Sequence, residues 1–287
     1  MKHSEAKLNI SRNKAAKSKQ AVSTIISTII LTSVLLIILL IASFVATNVL
    51  ILQMNSTEFE LAKTNMLLLD DTVQDTALRP GSGGYVQFNE RTGGIGVTSQ
   101  SEDVSISMQI GAESILPIYD LGQLTLYDLV YSAGSLTSAA AINLRPQDTS
   151  GTPVDLGTAV DTSKPIGYVR VVLDNGPKIK LDYDRMRITQ VGLIDGSTNL
   201  IEITFLKLQK NPDPNQWGGS GTVNLKVENV KTETKIQNIL TRTQPVKIYI
   251  DFGTQSTPYV CAVPDGATSS TTTVILITEI TIQVSKT

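Results

Sequence analysis

The sequence predicts an α+β protein in which one long N-terminal hydrophobic α-helix precedes an antiparallel β-sandwich-like globular head. Three observations lead to this prediction. Residues 21–57 contain no charged side chain. Hydrophobic residues then recur at steps of three and four as far as Ala77, and from Tyr85 onward they alternate with polar residues. Steps of three and four are typical of an amphipathic helix, whereas alternation is typical of a strand.

Residues 1–20 form a basic leader with six lysines and arginines, in which Glu5 is the only acid. The positive-inside rule predicts that such a segment stays in the cytoplasm and that the rest of the chain is exported. An ordinary secretory signal has an apolar stretch of about 7–15 residues, followed by small residues at a cleavage site. Here the apolar stretch is longer and the polar junction precedes it, so the leader does not match such a signal.

The uncharged run of 37 residues is almost twice the roughly 20 residues that a helix needs to cross a bilayer. A helix of that length would extend about 55 Å, against a hydrocarbon core about 30 Å thick. This length favours a helix that first lies in a membrane and later packs inside a protein assembly. We expect the helix to occupy residues 21–79, with its last turn near residue 77, because Pro80 and the glycines after it cannot continue a helix.

Small hydroxyl residues repeat at steps of four in the first half of this helix, and such residues let a neighbouring helix approach closely. The predicted helix-packing residues are Ser23, Thr24, Ser27, Thr28 and Thr32. Coincidence in a chain rich in Ser and Thr is the alternative explanation.

The second half of the helix carries an apolar stripe that should dock on the head. The stripe consists of Phe59, Ala62, Met66, Leu69, Val73 and Ala77. The acidic residues lie off the stripe and are expected on the solvated side of the helix. They are Glu58, Glu60, Asp70, Asp71 and Asp75.

A basic leader, the sequence Ala-Val-Ser-Thr-Ile-Ile at residues 21–26 and a long uncharged helix together resemble the type IV pilins and archaellins of archaea. In that family a membrane-embedded prepilin peptidase cuts on the cytoplasmic side of the helix. The mature helices then bundle into the core of a surface filament. The resemblance covers about the first 80 residues and implies a class III signal peptide in residues 1–20.

The resemblance implies a leader-cleavage site formed by Lys19, Gln20, Ala21 and Val22. A cut between Gln20 and Ala21 leaves Lys19 where the family has a basic residue, although Gln20 departs from the small residue that usually precedes the cut. A cut between Ala21 and Val22 restores the small residue but moves the lysine. We expect the first of these two cuts.

The same resemblance implies the partners and the location of the protein. The partners are copies of this chain in a helical homopolymer, the peptidase and a membrane assembly platform. The subunit would be a single-pass membrane protein with a cytoplasmic N-terminus before assembly, and part of an extracellular filament at the cell surface afterwards.

Residues 80–287 are expected to form the β-rich head, as one continuous domain in which residues 161–165 are the candidate break. About 200 residues can bury a sufficient core without disulfides. The turn Asp174-Asn175-Gly176-Pro177 between two alternating runs is a strong hairpin signal, and residues 93–96 look like a second hairpin turn. The predicted strands are residues 85–88, 104–110, 124–131, 169–173, 179–183, 201–205, 223–227, 246–250 and 274–284.

Composition argues against several functions. The chain after the leader has 18 basic and 25 acidic residues, a net charge of −7, whereas binding to nucleic acid needs a basic face. The only histidine is His3 and the only cysteine is Cys261. A chain that has lost the leader would contain no histidine. It could therefore have neither a histidine-dependent catalytic triad nor a metal bound by histidine. We expect no enzyme activity, catalytic residue, metal or cofactor, and a buried apolar role for Cys261.

Three further polar features have simple interpretations. Asp182 and Asp184 should share the solvated face of a strand. Residues 211–219 read as an exposed turn against which Trp217 packs. The sequon that begins at Asn55 makes this residue a possible glycosylation site at the neck between helix and head.

The sequence thus favours a structural subunit of an archaeal type IV pilus-like extracellular filament, with the head in surface contact and cell adhesion. Two alternatives remain open. An archaellin would have the same helix and a similar head in a motility filament. An uncleaved membrane-anchored extracellular binding or accessory protein would keep its leader and have a ligand cleft in its head.

Overall fold

The computed structural model describes residues 2–134, 137–145, 159–160, 165–211, 221–240, 244–252, 258–268 and 271–287, with side chains described outside 2–25, 159–160, 240 and 252. The chain divides into two compact units, Met1–Met54 and Asn55–Thr287. The first unit is helical, and the second contains the end of the same helix and all of the described strands.

The helix α1 comprises Lys2–Ala77, so the expected end near residue 77 is confirmed. It begins well before the expected residue 21, because the leader is rich in Ala and Lys and contains neither Gly nor Pro, and these residues favour helical backbone. The last turn is closed by hydrogen bonds. Arg79 N and Ser82 Oγ donate to the carbonyl oxygen of Thr76 at 3.2 and 3.0 Å, which is otherwise left without an intrahelical partner.

The head contains thirteen described strands in two sheets. The strands are β1 (Gly83–Glu90), β2 (Gly94–Ile110), β3 (Leu116–Ser132), β4 (Ile142–Arg145), β5 (Ala159–Val160), β6 (Tyr168–Leu173), β7 (Pro177–Asp182), β8 (Met186–Ile194), β9 (Thr198–Lys210), β10 (Gly221–Leu240), β11 (Val246–Phe252), β12 (Tyr259–Cys261) and β13 (Thr272–Lys286). The six-stranded sheet has the order β1-β10-β13-β9-β8-β5, and the seven-stranded sheet has the order β12-β11-β2-β3-β7-β6-β4.

Most neighbouring strands are antiparallel, and the two parallel pairs are β9 with β13 and β5 with β8. All nine strands expected from alternation are present. Four strands lacked a clear signal in the sequence. Strands β4, β5 and β12 have two to four residues, and β8 is interrupted by a register shift between Gln190 and Gly192.

The two expected hairpin turns had different outcomes. Strands β6 and β7 form an antiparallel pair in which Leu173 lies opposite Pro177 next to the turn. The turn has positive φ at Asn175 and Gly176, as a tight hairpin of this kind requires. The hairpin expected at residues 93–96 is wrong. The strands on either side of Gly93 belong to different sheets, so this connection crosses from one sheet to the other.

The buried side chains form two clusters. One cluster contains the apolar stripe of α1 together with residues of both sheets, and the other contains residues of the two sheets alone. The predicted stripe of the helix is therefore confirmed. Strand β13 lies between β10 and β9 and contributes to both clusters, Ile282 to the first and Ile275 to the second. The buried role of Cys261 is also confirmed, because the side chain is 1% exposed and burial raises the pKa of its thiol to about 12.

Two expectations concern residues outside the described part of the chain. They are the exposed turn with Trp217, which falls on residues 212–219, and most of the candidate break at residues 161–165.

Candidate membrane and assembly helix

The helical segment of residues 26–54 buries none of its large apolar side chains within the chain. Nineteen of them are exposed, including Leu39 at 66% and Phe44 at 69%. Among the described residues, one helix is long and apolar enough to cross a membrane, and it contains this segment. Burial of each such side chain is worth about 1.5–3 kcal/mol. The segment therefore requires an apolar environment outside its own chain, which lipid or other helices can provide.

Three hydroxyl groups of this segment form hydrogen bonds within the helix itself. Thr32 Oγ1 donates to the carbonyl oxygens of Thr28 and Ile29 at 2.9 and 3.0 Å. Ser33 Oγ donates to Ile29 O at 2.8 Å, and Thr47 Oγ1 donates to Ser43 O at 2.9 Å. Such bonds remove the penalty of placing a hydroxyl in hydrocarbon. The segment can thus enter an apolar environment without unpaired hydroxyls at these three positions.

The other predicted residues of this region are placed only in part. Ser27 and Thr28 are exposed, as a helix-packing face requires. The backbone at Ser23 and Thr24 is helical, but their side chains lie outside the described part. The same holds for the predicted cleavage residues Lys19, Gln20, Ala21 and Val22.

The following part of α1 is anchored in the head by the carboxylate of Glu58. Its Oε1 accepts hydrogen bonds from the backbone N–H groups of Arg91, Thr92 and Gly93 at 3.1, 3.1 and 3.4 Å. The hydroxyl of Tyr131, which is buried, donates to the same oxygen at 3.0 Å. These donors belong to the connection between the two sheets and to β3. One carboxylate therefore ties the helix to this connection and to the seven-stranded sheet.

The electrostatics of this anchor keep it charged at neutral pH. Burial raises the pKa of Glu58, but the hydrogen bonds from Thr92, Tyr131 and Gly93 outweigh burial, so that its pKa lies below the ordinary value. Burial and the neighbouring carboxylate of Glu58 raise the pKa of Tyr131. The phenol thus remains a donor, and the carboxylate remains an acceptor.

A second anchor lies three turns further along the helix, at Asp70. Tyr183 donates its hydroxyl hydrogen to Asp70 Oδ1 at 2.6 Å, and Arg145 donates to Asp70 Oδ2 at 2.6 Å. Arg145 also contacts Asp71. A Cβ at Gly167 would collide with the Asp70 carboxylate, so a glycine is required where the chain passes this site. Burial and Asp70 raise the pKa of Tyr183, and Asp71 and Asp70 raise the pKa of Arg145.

The expectation that all acidic residues of the helix face solvent is wrong for two of them. Glu58 is 9% exposed and Asp70 is fully buried, whereas Asp71, Glu60 and Asp75 are exposed as expected. Both buried acids flank the apolar stripe, because Glu58 precedes Ala62 by four residues and Asp70 follows Met66 by four. That spacing was a usable signal, since residues four apart lie on the same helix face.

The possible glycosylation site at Asn55 lies in a closed environment. Its side chain is 5% exposed, and a glycan needs solvent around the amide nitrogen to which it is attached. The burial of Asn55 argues against glycosylation of the folded head.

The pair Asp182 and Asp184 belongs to a network of charges and not to a solvated strand face. Asp182 is buried and accepts a hydrogen bond from Arg185 at 2.8 Å. Arg170 forms an ion pair with the same carboxylate at 3.3 Å. Asp184 lies beyond the end of β7 and accepts a hydrogen bond from Gln100 at 2.9 Å. The expected solvated face is therefore wrong, because the strand ends at Asp182 and arginines cover that residue.

Stability should depend on the protonation of Asp184. Burial and the carboxylates of Asp182 and Asp128 raise its pKa to about 7, from about 3.9 in an unfolded chain. The folded state therefore holds this proton more tightly, and stability should fall as pH rises from about 4 to about 7. At about 1.4 kcal/mol per pKa unit, the change is at most about 4 kcal/mol.

We expect Asp184→Asn to melt at the same or a higher temperature than the wild type at pH 8, with a weaker dependence between pH 4 and 7. The measurement is thermal unfolding of the full chain in a non-ionic detergent. Asp174→Asn is the control, since Asp174 is exposed in the β6–β7 hairpin. Identical pH profiles for Asp184→Asn and the wild type would contradict the assignment.

The described residues offer little that resembles a metal centre. Within them, no group of three or more His, Cys, Asp or Glu side chains is placed to hold a metal ion. Comparisons with family models, with characterised proteins and with solved structures found no match. The function of this chain is therefore inferred from its own residues and their geometry.

Proposed function

We propose that this chain is a structural subunit of an archaeal type IV pilus-like extracellular filament that assembles through its N-terminal helix after cleavage of the leader. One observation carries the proposal. Nineteen large apolar side chains of residues 26–54 are exposed, while the apolar stripe of the same helix from Phe59 onward is packed in the head. A helix with one half folded into a head and the other half uncovered suits assembly with identical helices.

The proposed mechanism moves the helix from one apolar environment to another. The basic leader holds the N-terminus in the cytoplasm, and a prepilin peptidase removes it between Gln20 and Ala21. The helix then leaves the lipid and packs against its copies on an assembly platform. Because the hydroxyls of Thr32, Ser33 and Thr47 bond to the backbone of the same helix, the transfer breaks no hydrogen bond at these positions. Small residues such as Ser27 and Thr28 let neighbouring helices approach.

The head is proposed to face solvent and to make surface contacts. A β-sandwich-like arrangement is supported by the two core clusters, which each combine side chains of both sheets. The carboxylates of Glu58 and Asp70 fix α1 to the head by charge-assisted hydrogen bonds, which are roughly twice as strong as neutral ones. A load on the head would therefore reach the helix through fixed contacts.

A second candidate is an uncleaved membrane-anchored extracellular binding protein. The observation in its favour is a cleft of about 780 Å³ in the head, a volume within the range of small-molecule sites of roughly 300–1,000 Å³. This candidate uses the same helix as a permanent anchor.

The N-terminus of the protein in material sheared from the cell surface distinguishes the two candidates. We expect mass spectrometry of that fraction to find a chain that begins at Ala21, or at Val22 if the alternative bond is cut. The membrane pellet of the same cells is the control. A chain that still contains the leader, and that occurs in the pellet alone, would refute the filament proposal and favour the anchored binding protein.

A further inference from the structure

The head contains a cleft between β3 of the seven-stranded sheet and three strands of the six-stranded sheet. One wall is formed by alternate residues of β3, namely Gln123, Thr125 and Tyr127. The opposite wall belongs to β9, β13 and β10. All of these elements lie within the head, so the cleft does not depend on the first 54 residues.

The wall opposite β3 carries a row of polar side chains across its three neighbouring strands. Lys231 of β10 is the register partner of Thr281 of β13, and Thr281 is the partner of Lys207 of β9. Partner residues on adjacent strands point to the same face of a sheet. With strands about 4.8 Å apart, the two lysines leave the sheet about 10 Å from each other. A third lysine, Lys210, also lines the cleft.

The charge of the cleft is opposite to that of the chain as a whole. The chain after the leader carries a net charge of −7, whereas the cleft is lined by three lysines and one carboxylate, that of Glu279. Lys231 forms an ion pair with Glu233 at 2.8 Å. Among the described residues, Lys207 has no ion-pair partner although it is half-buried. An ammonium group without a counter-ion in the protein is available to an anionic ligand.

We propose that this cleft binds an acidic oligosaccharide. Its carboxylate or sulfate groups contact the row from Lys207 to Lys231. Its hydroxyl groups bond with the amide of Gln123 and the hydroxyl of Thr125, and the ring of Tyr127 covers one sugar face. Nucleic acid fits less well, because binding of single strands relies on several stacked aromatic rings and this cleft offers one. The proposal is independent of filament assembly, since either candidate function leaves the head in solvent.

The test is calorimetric titration of the full chain in a non-ionic detergent with three probes. They are trigalacturonic acid for carboxylate, an ι-carrageenan tetrasaccharide for sulfate and maltotriose as the neutral probe. We expect at least one acidic probe to bind at least tenfold more tightly than maltotriose. Lys207→Gln should weaken that binding at least tenfold, whereas Lys207→Arg should retain most of it.

The matched control is Lys226→Gln, because Lys226 lies on β10 outside the cleft and its loss should change affinity less than twofold. Lys231→Gln, at a more exposed position, is the second variant if Lys207→Gln melts below the wild type. Binding of one acidic probe alone would identify the charged group. The proposal is overturned if neither acidic probe binds better than maltotriose, or if Lys226→Gln weakens binding as much as Lys207→Gln. Tighter binding of an oligothymidylate that Lys207→Gln abolishes would also overturn it, in favour of a nucleic-acid site.

Discussion

Leu36→Lys and Ile30→Asp are each expected to reduce the yield of surface filaments at least tenfold. Both positions lie in the exposed apolar segment of residues 26–54. In a membrane or in a bundle of helices, a charged side chain at the centre costs at least about 2.5–3.5 kcal/mol on insertion scales. Every subunit of a filament carries the substitution, so the cost recurs at each added copy. The yield is measured by electron microscopy and quantitative immunoblotting of sheared material.

The controls for this experiment are Leu36→Met and Ile30→Val. These substitutions keep the surface apolar and nearly conserve its volume, so filament yield should stay near the wild-type level. The head does not contain these positions, and its resistance to a protease should be the same in all four variants. Wild-type filament yield with either charged variant would refute a buried helix core.

Asp70→Ala is expected to lower the free energy of unfolding of the head by about 3–5 kcal/mol, the usual loss when one partner of a buried ion pair is removed. The hydroxyl of Tyr183 would be left buried without its acceptor, and Arg145 would lose its buried partner. The measurement is denaturant unfolding of the full chain in detergent, followed by near-ultraviolet circular dichroism.

Asp71→Ala is a closely matched control, because Asp71 is the next residue of the helix and contacts the same arginine. It is 57% exposed, and exposed ion pairs contribute about 0–1 kcal/mol. We therefore expect a loss below about 1 kcal/mol for this variant. Equal losses for Asp70→Ala and Asp71→Ala would show that burial does not set the strength of this anchor.

The sequence predicted the features of this fold that depend on neighbours along the chain. The stripe that begins at Phe59 follows the helical period, and the β6–β7 hairpin follows from the Asn175-Gly176 turn. Features that join distant segments were not predictable. The spacing of Glu58 from the apolar stripe indicates its burial but not its partner, because Tyr131 lies 73 residues away.

The cleft has the same origin in long-range pairing. Lys207 and Lys231 become neighbours of Thr281 through the register of β13 with two other strands, and no local pattern encodes a register between distant strands. The hairpin expected at Gly93 failed for a related reason. A glycine-rich turn indicates that the chain changes direction, but it does not indicate which sheet the next strand joins.

The position of β13 has a consequence for the order of folding. This strand is the last along the chain, yet it lies between β10 and β9 and contributes to both core clusters. Neither cluster can close until residues 272–286 have been synthesised. Contacts between residues so far apart in sequence form slowly, and a chain interrupted before residue 272 exposes both cores. A finished head is therefore evidence that translation has passed residue 286.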